Sequence, residues 1–128
     1  MFDQLLKLVE EHAGDAIVNN KSIPNEKNND AMKETANSII NSLKKQQKSA
    51  GSGSDLASMF SGGDTSSLTK MVEGNVVGDL MKNFGVDNKI AGDMVGKMLP
   101  GIMQKFVSKT NDPNDSSFDL GDIMKYLK

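Results

Sequence analysis

The sequence predicts an all-α fold: an internally duplicated helical bundle of two units, each an αα-hairpin followed by a short helix, packed on one core. Four segments carry apolar residues at spacings of three and four, which is typical of amphipathic helices. Residues that start and stop helices flank these segments, and the same order of parts occurs twice. A chain of 128 residues suits one globular domain with one modest core.

The first unit is predicted to span residues 1–48. Its first apolar stripe covers residues 2–17, and the second covers residues 31–43. Pro24, between the two stripes, suits the first position of the second helix. Residues 49–66 are predicted as a linker that is rich in glycine and serine and contains one short helix.

The second unit is predicted to span residues 67–128. Its first stripe covers residues 68–84 and ends at Gly85, a residue typical of a left-handed helix end. Asp87 is predicted to cap the next helix, which is the most apolar of the chain and contains Pro100. A polar loop and a short amphipathic helix complete the unit.

The two units match at a nearly constant offset, which predicts an internal duplication. With one inserted residue, Gly14 and Asp15 match Gly78 and Asp79. Six further pairs of similar residues are 63 positions apart: Val9 and Val72, Asp30 and Asp93, Ala36 and Leu99, Ile39 and Ile102, Ile40 and Met103, and Leu43 and Phe106.

The composition argues against several classes of function. There is no cysteine, and therefore no disulfide framework, thiolate nucleophile or zinc–thiolate site. All fifteen basic residues are lysines and the net charge is −2, so no nucleic-acid partner is expected. The longest apolar run is too short for a membrane span, and the N-terminus lacks the pattern of a signal peptide. We expect a cytoplasmic protein.

The second unit resembles the YidB-like family of bacterial proteins. The residues that carry the resemblance are Val86-Asp87-Asn88-Lys89-Ile90-Ala91 and Met98-Leu99-Pro100-Gly101-Ile102-Met103, a capped helix start followed by a Leu-Pro pair within the helix. The preceding helix and the closing Asp119-Leu120-Gly121 segment are also similar. The resemblance covers residues 68–127 and reaches residues 2–60 only through the repeat, where Asn37 replaces the proline. It implies a multihelical fold and no assigned active site.

His12 is the only histidine, and it lies at the edge of the first stripe. Glu11 and Asp15 are its helical neighbours, but the sequence indicates no nucleophile that it would activate. A boundary histidine on an amphipathic helix is therefore the favoured interpretation.

Asp112, Asn114 and Ser116 match the first three ligand positions of an EF-hand calcium loop. The glycine and glutamate positions that complete such a loop hold Ser117 and Ile123 instead. Asx and Ser residues before a helix are typical of turns and N-caps, so we predict no metal site.

Two further patterns are predicted to be structural. Glycines four residues apart, at 74 and 78 and at 92 and 96, are interpreted as positions of close helix–helix packing. A small basic cluster at a helix end compensates the helix dipole and consists of Lys44, Lys45 and Lys48.

The nine methionines suggest two roles for the most apolar helix. Flexible thioethers fill irregular cores, but they also line adaptable binding grooves. The helix is thus either central and covered on several sides, which we favour, or it leaves an apolar interaction surface open. The candidate residues for that surface are Met94, Met98, Leu99, Ile102 and Met103.

We expect a non-catalytic bacterial protein-interaction or scaffold module without a cofactor, either monomeric or homodimeric. The alternative is a protein that binds an apolar small ligand or a lipid surface through its Met-rich helices. No catalytic residue is predicted, because no pair of titratable groups stands apart from the solvated faces.

Overall fold

The computed structural model describes residues 1–49, 54–115 and 118–127. Within these ranges the chain is helical and contains no strand, which confirms the all-α prediction. Residues 50–53 of the predicted Gly/Ser linker lie outside the described residues. The helices are α1 (Phe2–His12), α2 (Asn28–Ser49), α3 (Ser54–Ser61), α4 (Thr65–Phe84), α5 (Asn88–Thr110) and α6 (Leu120–Leu127).

The first apolar stripe is divided between two elements. α1 ends at His12, and a π-helical turn follows over Gly14–Val18. The Ala13 carbonyl accepts from the amides of both Ile17, at 2.8 Å, and Val18, at 3.1 Å. In an unbroken α-helix Ile17 would lie about 80° around the axis from buried Val9. The wider turn rotates less per residue, and Ile17 is fully buried.

α2 begins later than its proline. Pro24 is extended, with ψ of 142°, and precedes a 3-10 turn over Asn25–Lys27 that leads into the α-helix. The Lys27 amide donates to the Pro24 carbonyl at 2.8 Å. The proline therefore sets the entry into the helix from just outside it.

The predicted helix ends of the second unit are confirmed. Gly85 is left-handed at φ 66°, and its amide donates to the Met81 carbonyl. The Asp87 carboxylate accepts from the Ile90 amide at 2.8 Å and caps α5. Asp119 caps α6 in the same way, through the amide of Asp122 at 3.3 Å.

α5 is the central helix. It packs against α4 along its length and also contacts α1, the π-helical turn and α3. The buried residues of both predicted units form one core. Three aromatic rings pack together at one end, where Phe106 lies 5.1 Å from Phe60 and 5.0 Å from Phe118 between centroids.

The packing partners have a reciprocal pattern. α1 packs on α5 as α4 packs on α2, and the short helices α3 and α6 contact α5 and α2 respectively. Exchanging the two predicted units would preserve these four contacts. However, α3 also packs on α4 and α2, and among the described residues α6 has no matching contacts of similar extent, so the internal duplication stays a prediction.

α5 continues through Pro100 because the proline lies on the solvent side. Pro100 has no amide hydrogen, so the Gly96 carbonyl one turn earlier lacks its usual helical donor. Both residues are exposed, and water can hydrate that carbonyl.

Candidate functional site

The five residues predicted as a candidate interaction surface lie in the core. Their exposed fractions are between 0 and 1% for Met94, Met98, Leu99, Ile102 and Met103. Because α1, α3, α4 and the π-helical turn pack against the apolar face of α5, the Met-rich stripe fills the interior. Of the two roles that the sequence left open, the structure shows the central helix.

His12 packs on α5 rather than facing a reactive partner. Its Nδ1 donates to the Leu8 carbonyl at 2.8 Å, within α1. A Cβ placed on Gly101 would lie 2.6 Å from His12 Cδ2 and 2.9 Å from Nε2. Gly101 is thus required for the close approach of the imidazole to the helix backbone.

An open cleft of about 620 Å³ lies beside this histidine and is lined by Glu11, His12, Gly14, Asp15, Asn19 and Lys97. The π-helical turn places Asp15 and Asn19 on one side of the cleft, where the side-chain Nδ2 of Asn19 donates to the Asp15 carboxylate at 3.3 Å. The cleft lining holds no hydroxyl or thiol that the imidazole could activate. The arrangement offers polar contacts but no nucleophile–base pair.

The loop that begins at Asp112 and partly matches an EF-hand calcium loop forms an Asx turn. The Asp112 carboxylate accepts from the Asn114 amide at 2.9 Å. Ser116, the third residue of the motif, lies outside the described residues. Within the described part of the chain, no group of three His, Cys, Asp or Glu residues could hold a metal ion.

A polar seam joins α2 to α4. Ser38, which is 1% exposed, donates its hydroxyl to the Asp79 carboxylate, and its carbonyl accepts from Asn75 Nδ2 at 2.9 Å. One turn away, the Ser42 hydroxyl donates to the Met71 carbonyl at 3.3 Å. These contacts fix the register of the two helices.

The predicted basic cluster lies at the end of this seam. Lys44 places its ammonium 5.1 Å from the centroid of the Tyr126 ring, a cation–π contact between α2 and α6. The three lysines also line a small open cleft together with Asn41, Asn75 and Asp79. The presence of the Asp79 carboxylate makes this cleft a poor anion site.

The prediction that the paired glycines allow close helix packing is wrong. A Cβ added at Gly74, Gly78, Gly92 or Gly96 would meet no described atom within 4 Å, and all four glycines are exposed. The sequence cannot distinguish a glycine that faces a neighbouring helix from one that faces solvent. In this bundle the four glycines form part of the outer surface of α4 and α5.

Apolar side chains lie on the same outer surface. Met81 is 37% exposed and, with Val18 and Tyr126, is one of three exposed large apolar residues in the described chain. Val77 and Phe84, one turn away on either side, are half-buried. At 100° per residue these three α4 side chains project within about 60° of one another.

The register of α4 against α5 places the apolar row of α4 level with the glycines of α5. Thr69 and Glu73 of α4 line an open cleft of about 550 Å³ with Pro100 and Gln104 of α5. Continuing this antiparallel register places Val77 level with Gly96 and Met81 level with Gly92. The outer groove, as we call this surface, comprises Val77, Met81 and Phe84 of α4 and Gly92, Gly96 and Pro100 of α5.

The sequence interpretation missed the outer groove because it assigned the glycines to the interior. A usable signal was present, since Val77, Met81 and Phe84 form a second apolar row beside the buried row of Leu68, Val72, Val76 and Leu80. Two adjacent rows on one helix indicate a face wider than a single neighbouring helix covers.

No known protein family, curated protein or solved structure matches the chain. The resemblance to the YidB-like family therefore stays a prediction. None of the described helices is both long enough and apolar enough to cross a membrane.

Proposed function

We propose that the protein is a non-catalytic interaction module that binds an amphipathic helical segment of a partner protein in the outer groove. The observation that carries this proposal is the exposed Met81 between half-buried Val77 and Phe84, beside helix-interior glycines that make no packing contact. Such a surface combines apolar anchors with room for close approach of another backbone.

The glycines are costly for the fold. A glycine inside an exposed helix destabilises it by about 0.8–1 kcal/mol relative to alanine. No packing contact offsets this cost at positions 74, 78, 92 and 96, since each faces open space. A partner backbone that lies in the outer groove would make use of the space at positions 92 and 96.

The size of the outer groove favours one segment over a second copy of the chain. From Gly92 to Pro100 the groove is about 12 Å long, and the spacing of packed helices gives a width of about 10 Å. This area of about 120 Å² is well below the roughly 800 Å² per partner of a stable interface. We therefore expect a monomer that binds a short segment transiently.

The geometry also favours a helix as the occupant. A groove between two helices has no free strand edge, so an extended peptide would find no ladder of backbone donors and acceptors. A helix, in contrast, satisfies its own backbone and can bury one apolar stripe against Val77, Met81 and Phe84. Exposed residues of both signs beside the groove, including Lys70, Glu73 and Lys89, suit a partner helix with mixed charges on its flanks.

The alternative function, binding of an apolar ligand or a lipid surface, has less support. Its proposed Met-rich residues are at most 1% exposed, so such a ligand would have to displace the core. The cleft beside His12 is open and, apart from Gly14, is lined by polar residues.

Comparative capture tests the proposal. Immobilised wild-type protein, Met81→Asp and Val18→Asp would each be exposed to a lysate of the native cells. Val18 is the matched control, because it is 42% exposed but lies on the π-helical turn, outside the outer groove. We expect a protein that wild type and Val18→Asp retain and that Met81→Asp loses. Identical recovery by all three folded proteins would contradict the proposal.

A further inference from the structure

We propose that Met81 is an oxidation-sensitive position at which hydroperoxides switch off docking in the outer groove. The switching role rests on the proposed function, whereas the selective oxidation of Met81 rests on the structure of α4 alone. Met81 is one of nine methionines in the chain.

Burial divides the methionines into three groups. Met94, Met98 and Met103 of α5 are at most 1% exposed, and Met32 is 8% exposed. The half-buried group consists of Met1, Met59, Met71 and Met124. At 37% Met81 is the most exposed of the methionine residues, so we expect a dissolved oxidant to attack it first.

The residues around Met81 explain this exposure. A long side chain in an α-helix leans toward the turn before it, and in the turn before Met81 position 77 is a valine and position 78 a glycine. Gly78 has no side chain, and no described atom lies within 4 Å of where its Cβ would be. Across the groove the hairpin register places Gly92, which is also exposed and open. The glycine at position 78 therefore provides no side chain that could cover Met81.

The chemistry is a two-electron oxygen transfer. The thioether sulfur attacks one oxygen of the hydroperoxide, the O–O bond breaks, and the sulfur–oxygen bond of the sulfoxide forms while water or an alcohol leaves. The sulfur is oxidised and the peroxide is reduced. The product places a polar, strongly hydrated group in the middle of the apolar row, which disfavours its burial under a partner helix.

A hydrogen peroxide time course on the full chain tests the selectivity. Peptide mass mapping would follow sulfoxide formation at each methionine, and circular dichroism would report whether the fold persists. We expect Met81 to oxidise about tenfold faster than Met94, Met98 and Met103, and ahead of Met59 and Met71, with the helical signal unchanged. Oxidation of Met59 or Met71 before Met81 would overturn the inference, even if partner capture depends on the outer groove.

The regulatory step has its own control. Met81→Leu keeps the apolar row but cannot form a sulfoxide. After peroxide treatment, we expect wild type to lose the groove-dependent partner and Met81→Leu to retain it. Equal loss by both proteins would overturn the switch. Failure of the proposed function is recognised separately, because untreated wild type and Met81→Asp would then recover the same proteins.

Discussion

The imidazole of His12 occupies the space that a side chain at position 101 would need. A Cβ on Gly101 would lie 2.6 Å from the ring, so an alanine there must displace the imidazole, which a hydrogen bond to the Leu8 carbonyl holds in place. No other described glycine inside α4 or α5 meets a neighbour in this way. The pair couples the end of α1 to the middle of α5.

Alanine substitutions on α5 should therefore have different effects at two positions. At exposed Gly96 we expect stabilisation by about 0.5–1 kcal/mol, since alanine favours the helix and meets no neighbour. At Gly101 the same gain is offset by the displaced imidazole, and we expect a free energy of unfolding about 1–2 kcal/mol below that of Gly96→Ala. Urea denaturation monitored by circular dichroism measures both values.

The control for this pair is a double-mutant cycle. In a His12→Ala background the obstacle is absent, so Gly101→Ala should stabilise by about as much as Gly96→Ala, roughly 0.5–1 kcal/mol. A Gly101→Ala effect that is the same with and without His12 would show that the two residues are not coupled.

Leu99→Asp should unfold the protein. Leu99 is fully buried in the central helix, and an unpaired carboxylate there costs several kcal/mol, comparable to the roughly 5–15 kcal/mol stability of a small domain. Gln104→Asp, on the exposed side of the same helix, should change the stability by less than about 0.5 kcal/mol. A folded Leu99→Asp monomer in thermal melts would contradict the central position of α5.

The seam between α2 and α4 should contribute measurably to stability. Asp79→Ala leaves the buried Ser38 hydroxyl without its acceptor, and we expect a loss of about 1–3 kcal/mol. Adding Ser38→Ala should recover part of this loss, because the unsatisfied hydroxyl is then removed. If Asp79→Ala and the exposed Asp93→Ala lower the free energy of unfolding equally in denaturant melts, the hydrogen bond contributes no net stability.

Much of the fold could be predicted because its signals are local. The left-handed Gly85 and the capping Asp87 act on neighbouring backbone groups, so the sequence around them is sufficient. The π-helical turn at Gly14–Val18 was missed because it depends on bringing Ile17 back to a core built by other helices. Long-range contacts decide such features.

The candidate site was less predictable for the same reason. Whether Gly96 or Gly101 faces another element depends on where α1 crosses α5, and glycine itself carries no orientation signal. The Met-rich stripe of α5 was a correct signal of apolarity, but apolarity alone does not tell a core from a surface. The exposed position of Met81 became visible only with the register of α4 against α5.

The most direct test of the central claim is site-specific cross-linking in the outer groove. Because the chain contains no cysteine, Gly92→Cys or Val18→Cys provides a unique attachment point for a thiol-reactive photocrosslinker. Both labelled proteins should first give the helical circular dichroism of wild type. We predict that the partner lost by Met81→Asp cross-links at position 92 and not at position 18. Capture of that partner with cross-links at position 18 and none at position 92 would contradict the account.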